Sequence, residues 1–362
     1  MTSRKRKKKP LIDRIKRQIA LEGPLGISEY MALCLGDPEA GYYTNGKPFG
    51  RDGDFITAPE ISQMFGEMIG VWCVLMWRNM GKPSKFNLVE LGPGRGTLMA
   101  DLLRAAKVDE GFCKAVHVKL VEISKPLRKK QATALKNFDG NLRWLDDIQG
   151  VSAQPAIFIG NEFLDALPLR QYKKSGKHWL EQVVGVADEK LCFFNGQGCF
   201  DPKDLPENYD EEPDGSVFEM SPAREAIVQY ISEHIGGFSG AALLIDYGHT
   251  ERGFGDTFQA VSKHKFVNPL KSPGKADLTS HVDFSAFTKY FDERVNYRLT
   301  TQAEFLSSLG LVERAGALGH GKSSEERYDI EMAVERLAGR NAMGELFKVL
   351  VAASKEFRLI GG

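Results

Sequence analysis

One string constrains this chain more than any other: Val89-Glu90-Leu91-Gly92-Pro93-Gly94-Arg95-Gly96-Thr97. An apolar strand ends in an acid, three glycines alternate, and an apolar helix follows. Glycines at such a turn let backbone approach a ligand closely, and the helix start offers free N–H groups. A dinucleotide loop follows G-x-G-x-x-G. Here the third glycine, Gly96, comes one residue early and position 97 is threonine. That spacing argues against a pyrophosphate ligand.

Around this loop, strands and helices alternate. FNLVEL (86–91), HVKLVEI (117–123), NLRWL (141–145) and AIFIGNEF (156–163) read as strands. TLMADLLRAA (97–106) and PLRKKQATAL (126–135) read as helices between them. Such alternation predicts a parallel sheet with helices on both faces, hence an α/β fold. Ligands of such sheets bind at the carboxyl ends of the strands. Glu122 ends the second strand, where an acid can accept from ribose hydroxyls. Asp146 and Asp147 follow the third, placed for an adenine amino group, although a turn or helix cap explains the pair equally. Asn161 and Glu162 end the fourth, where substrate contacts are expected, and Asn161 is also a cofactor-binding candidate.

Flanking segments read differently. Residues 11–22 have helical spacing, a short helix is expected from Ser28 to Leu35, and a long one from Pro59 to Asn79. After Pro168 the pattern suggests antiparallel strands, read as an insertion over 169–220. AALLIDYG (241–248) returns to a buried strand. Helical pieces are expected near 283–291, 302–309, 326–337 and 341–351. Residues 1–10 form a basic tail expected to be disordered, 11–84 a helical extension with a covering loop, and 85–362 the main domain.

Charge and cysteine content exclude several classes. Lys plus Arg and Asp plus Glu are each 48, yet six of the bases stand together at Arg4, Lys5, Arg6, Lys7, Lys8 and Lys9. The remainder carries 42 basic against 48 acidic residues. A mildly acidic body is not a general nucleic-acid binder, so no specific nucleic acid is expected and membrane contact is at most weak, through the tail. Five scattered cysteines without a C-x-x-C pair predict neither disulfides nor a metal.

Taken together, these strings make the chain resemble the MidA-like methyltransferases. The resemblance runs from about Ile12 to the C-terminal helices. It rests on GDPEAGYYT (36–44), GDFITAPEISQMFGEMIG (53–70), VELGPGRGTLMADLLR (89–104), NEFLDALP (161–168), LIDYGH (244–249) and ADLTSHVDF (276–284). It implies a class I, Rossmann-like methyltransferase sheet with an N-terminal helical extension and a β-rich insertion. It also implies S-adenosylmethionine as cofactor, held by Glu90, Gly92, Gly94 and Gly96, with the segment Gly53 to Glu60 closing over it. The mitochondrial member implies symmetric dimethylation of an arginine in an NADH dehydrogenase (complex I) subunit, in aid of its assembly. A long presequence is missing, so a bacterial, cytoplasmic protein is expected; a eukaryotic chain would belong in the mitochondrial matrix.

An arginine acceptor arrives protonated and poorly nucleophilic, so carboxylates must fork and polarise it. The candidates are Glu162 and Asp165, then Asp246 and His249. Asp54 and Glu60 are cofactor candidates with strong structural explanations. A small-molecule methyltransferase, or a cofactor-binding assembly chaperone without turnover, stays open at this level. Deleting residues 1–9 is expected to leave folding and cofactor affinity unchanged, as read by thermal unfolding and calorimetry.

Overall fold

The computed structural model describes residues 9–45 and 57–361. Its centre is a seven-stranded sheet built from β1 (Phe86–Leu91), β2 (Val116–Val121), β3 (Asn141–Leu145), β4 (Ala156–Asn161), β5 (Gly240–His249), β6 (Val295–Thr301) and β7 (Phe347–Ser354). The order is β3-β2-β1-β4-β5-β7-β6, with a two-residue eighth strand, Val282–Asp283, on the far end of β5. β1 to β5 run parallel, and β7 lies antiparallel between β5 and β6. This is the class I arrangement. The order reverses between β1 and β4, which opens a crevice at their carboxyl ends.

Period-two alternation assigns the side chains to two cores. Phe86, Leu88, Ile157, Ile159, Leu243, Ile245, Val349 and Val351 face one core. Val89, Leu91, Phe158, Leu244 and Leu350 face the other. Both faces are covered, so the central strands read as continuous apolar runs.

On the N-terminal side, α1 (Leu11–Glu22) and α2 (Ile27–Gly36) pack with Val184 and Leu191 of a separate antiparallel sheet. That sheet consists of Leu25–Gly26, Arg170–Ser175, His178–Ala187, Lys190–Cys199 and Val217–Met220. The next helix, α3 (Gln63–Asn79), instead joins the first core of the central sheet. There it crosses α4 (Thr97–Ala106) closely: a Cβ on Gly66 would lie 2.6 Å from Asp101 Cβ, and one on Gly70 2.7 Å from Leu102 O. α5 (Lys125–Ala134) follows β2, and α6 (Pro222–Phe238) precedes β5.

Several local expectations need correcting. The long helix begins at Gln63, because Ser62 is extended and caps it by accepting from Met64 N at 3.2 Å; Ala58–Ile61 is a separate helical turn. Ser28 lies inside α2, whose cap is Gly26. A second small sheet, Gln259–Ser262, Lys265–Val267 and Asp277–Thr279, was not anticipated. The largest change is at 341–351. Only Met343–Leu346 is helical, and Phe347–Ser354 is β7. Its alternate residues are buried in opposite cores, so the run is apolar at every spacing and fits helix and strand alike. β6 and the helix Leu311–Gly319 were missed as well.

Leu350 is 1% exposed in this central strand. Leu350→Ala is expected to cost about 2–5 kcal/mol, read as a lower denaturant midpoint with unchanged slope.

Candidate active site

The glycine loop leaves β1 through three left-handed positions, Gly92 at φ 60°, Gly94 at φ 51° and Gly96 at φ 84°. Side chains rarely adopt that region. A Cβ on Gly92 would also strike the Phe163 ring at 2.7 Å. Gly92 N–H donates to Val121 O at 3.1 Å, which ties the loop to β2. The buried Gln131 on α5 completes the tie. Its Nε2 donates to Gly94 O at 2.8 Å and Glu122 Oε2 at 3.1 Å, while its Oε1 accepts from Trp144 Nε1 at 2.8 Å. Nothing in the run KPLRKKQATA marks this glutamine out in advance, since its partners come from three other elements.

Glu122 lies just past β2, buried, with Oε1 accepting from Ser124 N at 2.7 Å. Burial raises its pKa. Glu90 is also buried, on the first core's face of β1, and its Oε2 has no hydrogen-bond partner among the described residues. Burial, and then the charge of Glu122, push Glu90 up to about 8. Past β3, Asp146 is exposed and paired with Arg128, while Asp147 caps the turn Ile148–Gly150 by accepting from Gln149 N at 2.8 Å.

Gly92, Gly94, Glu122, Asp146, Asp147 and Glu162 line one cavity of about 410 Å³, whose apolar wall includes Leu91, Ile123, Ile148 and Phe163. That volume suits a ligand of cofactor size. Glu90, Gly96 and Asn161 stand behind the lining rather than in it.

At the tip of β4, Glu162 has φ 47°, an unfavourable value for a side-chain-bearing residue. Its Oε1 accepts from Ala58 N at 2.8 Å and from Asn161 Nδ2 at 3.1 Å. Asn161 Oδ1 is buried without a partner among the described residues. Burial raises Glu162 to about 7, and the nearby Asp165 charge pushes the same way.

The other three acceptor-site candidates do not reach this cavity. Asp165 is buried and accepts from Tyr247 Oη at 2.8 Å. Asp246 is fully buried: Oδ2 accepts from the N–H groups of Leu164 at 2.9 Å and Asp165 at 3.1 Å, and Oδ1 accepts from Tyr247 N at 2.9 Å. His249 lies on a second cavity of about 210 Å³, with Nδ1 2.7 Å from Glu251 O.

Tyr43 was not among the expected site residues, whereas Glu60 was expected at the cofactor and instead docks on the glycine loop, outside the cavity lining. Tyr43 lines the main cavity, donates to Asp277 at 2.9 Å, and accepts from Ser124 Oγ at 2.9 Å through its carbonyl. Its place in an aromatic loop was the available signal. The turn Ala58–Ile61 docks on the glycine loop through Glu60, which accepts from Thr97 Oγ1 at 2.7 Å and pairs with Arg95 at 3.3 Å. Asp54 and the rest of 53–56 lie outside the described residues.

Residues 68–300 match a family model described as "Putative S-adenosyl-L-methionine-dependent methyltransferase". The chain belongs to that methyltransferase family. Among its relatives, a mitochondrial protein named protein arginine methyltransferase NDUFAF7 homolog from Caenorhabditis elegans is 39% identical over 334 residues, covering 85% of this chain and 77% of the relative. The Homo sapiens protein arginine methyltransferase NDUFAF7 is 33% identical, covering 98% and 85%. A Burkholderia thailandensis protein solved with S-adenosyl-homocysteine superposes with a TM-score of 0.83 at 26% identity, covering 96% of this chain and 92% of that one. As a member of this family, the chain is an S-adenosylmethionine-dependent enzyme. Among the described residues no group of His, Cys, Asp and Glu could hold a metal, and no helix is long and apolar enough to cross a membrane.

The buried acids give a pH prediction for the methyltransferase. Glu90 ionises near 4.5 ordinarily but near 8 in the fold, so the folded state holds the extra proton between those values. Stability must then fall as pH rises through that window. Glu90→Gln is expected to flatten the fall, measured as urea midpoints from pH 5 to pH 8.5.

Proposed function

We propose that this methyltransferase acts on a protein arginine, in a subunit of NADH dehydrogenase, and aids assembly of that complex. One observation carries the reading: a half-buried carboxyl, Glu162, forms part of the lining at the carboxyl end of β4, within a cavity otherwise suited to the cofactor. The names of the relatives support the arginine acceptor, and the resemblance to the MidA-like family supports the complex.

The cavity fits S-adenosylmethionine on its own features. Gly92 and Gly94 bring left-handed backbone without side chains to its wall, and Glu122 offers a carboxylate to hydroxyl donors. Asp146 and Asp147 lie at the β3 end for an exocyclic amine. Glu90 and Gly96 shape the loop from behind, and the Asn161 carbonyl is a spare acceptor beside it. When bound, the cofactor supplies an electrophilic methyl group on a sulfonium.

The chain's own groups then do three things. The Gly92–Gly96 turn and Glu122 fix the donor, so positioning supplies much of the rate. Glu162 meets the guanidinium: both of its described hydrogen bonds fall on Oε1, so Oε2 is the atom that pairs with a terminal nitrogen. The incoming cation favours the ionised carboxylate. Once that nitrogen takes the methyl group it must release a proton, and Glu162 Oε2 accepts it at a site that protonates near neutrality. Asp165, Asp246 and His249 act from outside the cavity. The expected location is the cytoplasm of a bacterium or the mitochondrial matrix of a eukaryote, the latter in keeping with the mitochondrial relatives.

Gly94→Val is expected to abolish cofactor binding by calorimetry, because φ 51° strains any β-branched residue. Glu162→Gln is expected to bind cofactor normally and lose turnover at least 100-fold. Full turnover by that variant removes Glu162 from the chemistry. Mass spectrometry of NADH dehydrogenase subunits, with and without the gene, is expected to show one methylated arginine lost; an unchanged pattern rejects this acceptor.

A further inference from the structure

Arg224 sits in the first turn of α6, 5% exposed, and among the described residues its guanidinium donates to carbonyl and hydroxyl oxygens. Nε reaches Leu164 O at 2.7 Å and Nη1 reaches His281 O at 2.8 Å. Nη2 reaches Asp165 O at 3.1 Å, Ser280 O at 3.3 Å and Ser280 Oγ at 2.6 Å. A buried arginine ordinarily forks a carboxylate. Here the compensating carboxylate, Asp246, grips the same two residues by their other polar groups, the N–H of Leu164 and the N–H of Asp165.

Leu164 and Asp165 are therefore held from both sides, by a cation on their carbonyls and an anion on their N–H groups. Each charge offsets the burial cost of the other across the peptide units it binds. The clamped pair lies two and three residues past Glu162. Glu162 itself holds φ 47°, and Phe163 between them packs on Gly92. A residue in that backbone region stays there only when its surroundings over-determine it. The clamp supplies that constraint.

We propose that Arg224 is a positioning residue for methyl transfer, which fixes the Glu162 carboxylate at the acceptor by clamping the Leu164–Asp165 backbone against Asp246. This rests on the reading of Glu162 given above. Arg224 is not part of the main cavity's lining. Its side chain also lines the 210 Å³ cavity next to Ser221 and His281, so a small cation in solvent can reach the space it occupies.

The test uses the full chain, with S-adenosylmethionine and purified NADH dehydrogenase subunits as acceptor, and compares Arg224→Ala, Arg224→Lys and Glu162→Gln. Three readouts are taken: cofactor affinity by calorimetry, turnover, and hydrogen exchange of the Leu164 and Asp165 amides. Arg224→Ala is expected to keep cofactor affinity within about twofold. Its turnover should fall at least 10-fold, and the two amides should exchange at least 10-fold faster while those of Leu243 to Ile245 keep their protection. Millimolar ethylguanidinium should restore both turnover and protection, which a general loss of folding would not allow. Arg224→Lys keeps the charge but not the fork, so it should show the same changes to a smaller degree; it serves as the test if the alanine variant does not fold.

Wild-type exchange at the two amides in either variant overturns the clamp. So does a turnover loss that tracks cofactor affinity and resists ethylguanidinium. Full turnover by Glu162→Gln overturns the reading of the site, while the exchange result still decides the clamp. A wild-type enzyme silent on these subunits rejects the acceptor, and exchange again decides.

Discussion

Negative charge buried at the carboxyl end of the sheet governs how this molecule is put together. Glu90, Glu122, Asp165 and Asp246 are all withdrawn from water there, with the half-buried Glu162 beside them. A protein tolerates that only by protonating the acids, spending backbone N–H groups on them or placing a cation nearby. All three means are in use. Glu90 and Glu162 are shifted toward neutrality, Glu122 and Asp246 accept from backbone, and Arg224 supplies positive charge from α6. The fold can bear this arrangement because two well-packed cores lie beneath it.

Each surrounding element contributes a wall to the same crevice. The sheet sets the floor through the reversal between β1 and β4. The N-terminal helices bring Tyr43 and the turn at Ala58 across the opening. The antiparallel insertions bring Asp277 and Ser280 from below. Methyl transfer between two bound groups needs such enclosure, since geometry supplies more of the rate than any single proton transfer.

Much of this was legible in the residues. Alternating glycines after an apolar strand, acids after successive strands, and NEFLDALP after the fourth all fell at the sheet's carboxyl end, because local sequence dictates where strands stop. Long-range partners were not legible. Gln131 gains its meaning from Gly94, Glu122 and Trp144, and Arg224 from carbonyls about sixty residues away. In an isolated sequence both read as ordinary surface residues on charged helices. Asp246 and His249 share a motif, yet strand geometry turns one into the loop's anchor and leaves the other on a different cavity. β7 misled for another reason: a strand buried on both faces loses the alternation that identifies it.

The position of β7 also bears on biosynthesis. β5 is synthesised well before its antiparallel neighbour, and β6 reaches the sheet only through β7. Until residues 347–354 leave the ribosome, the nascent protein carries an apolar strand with one side unpaired. Such an edge invites pairing with other chains. The half-made enzyme therefore depends on being shielded at that edge, and a late frameshift would be expected to yield aggregate rather than a shortened, working methyltransferase.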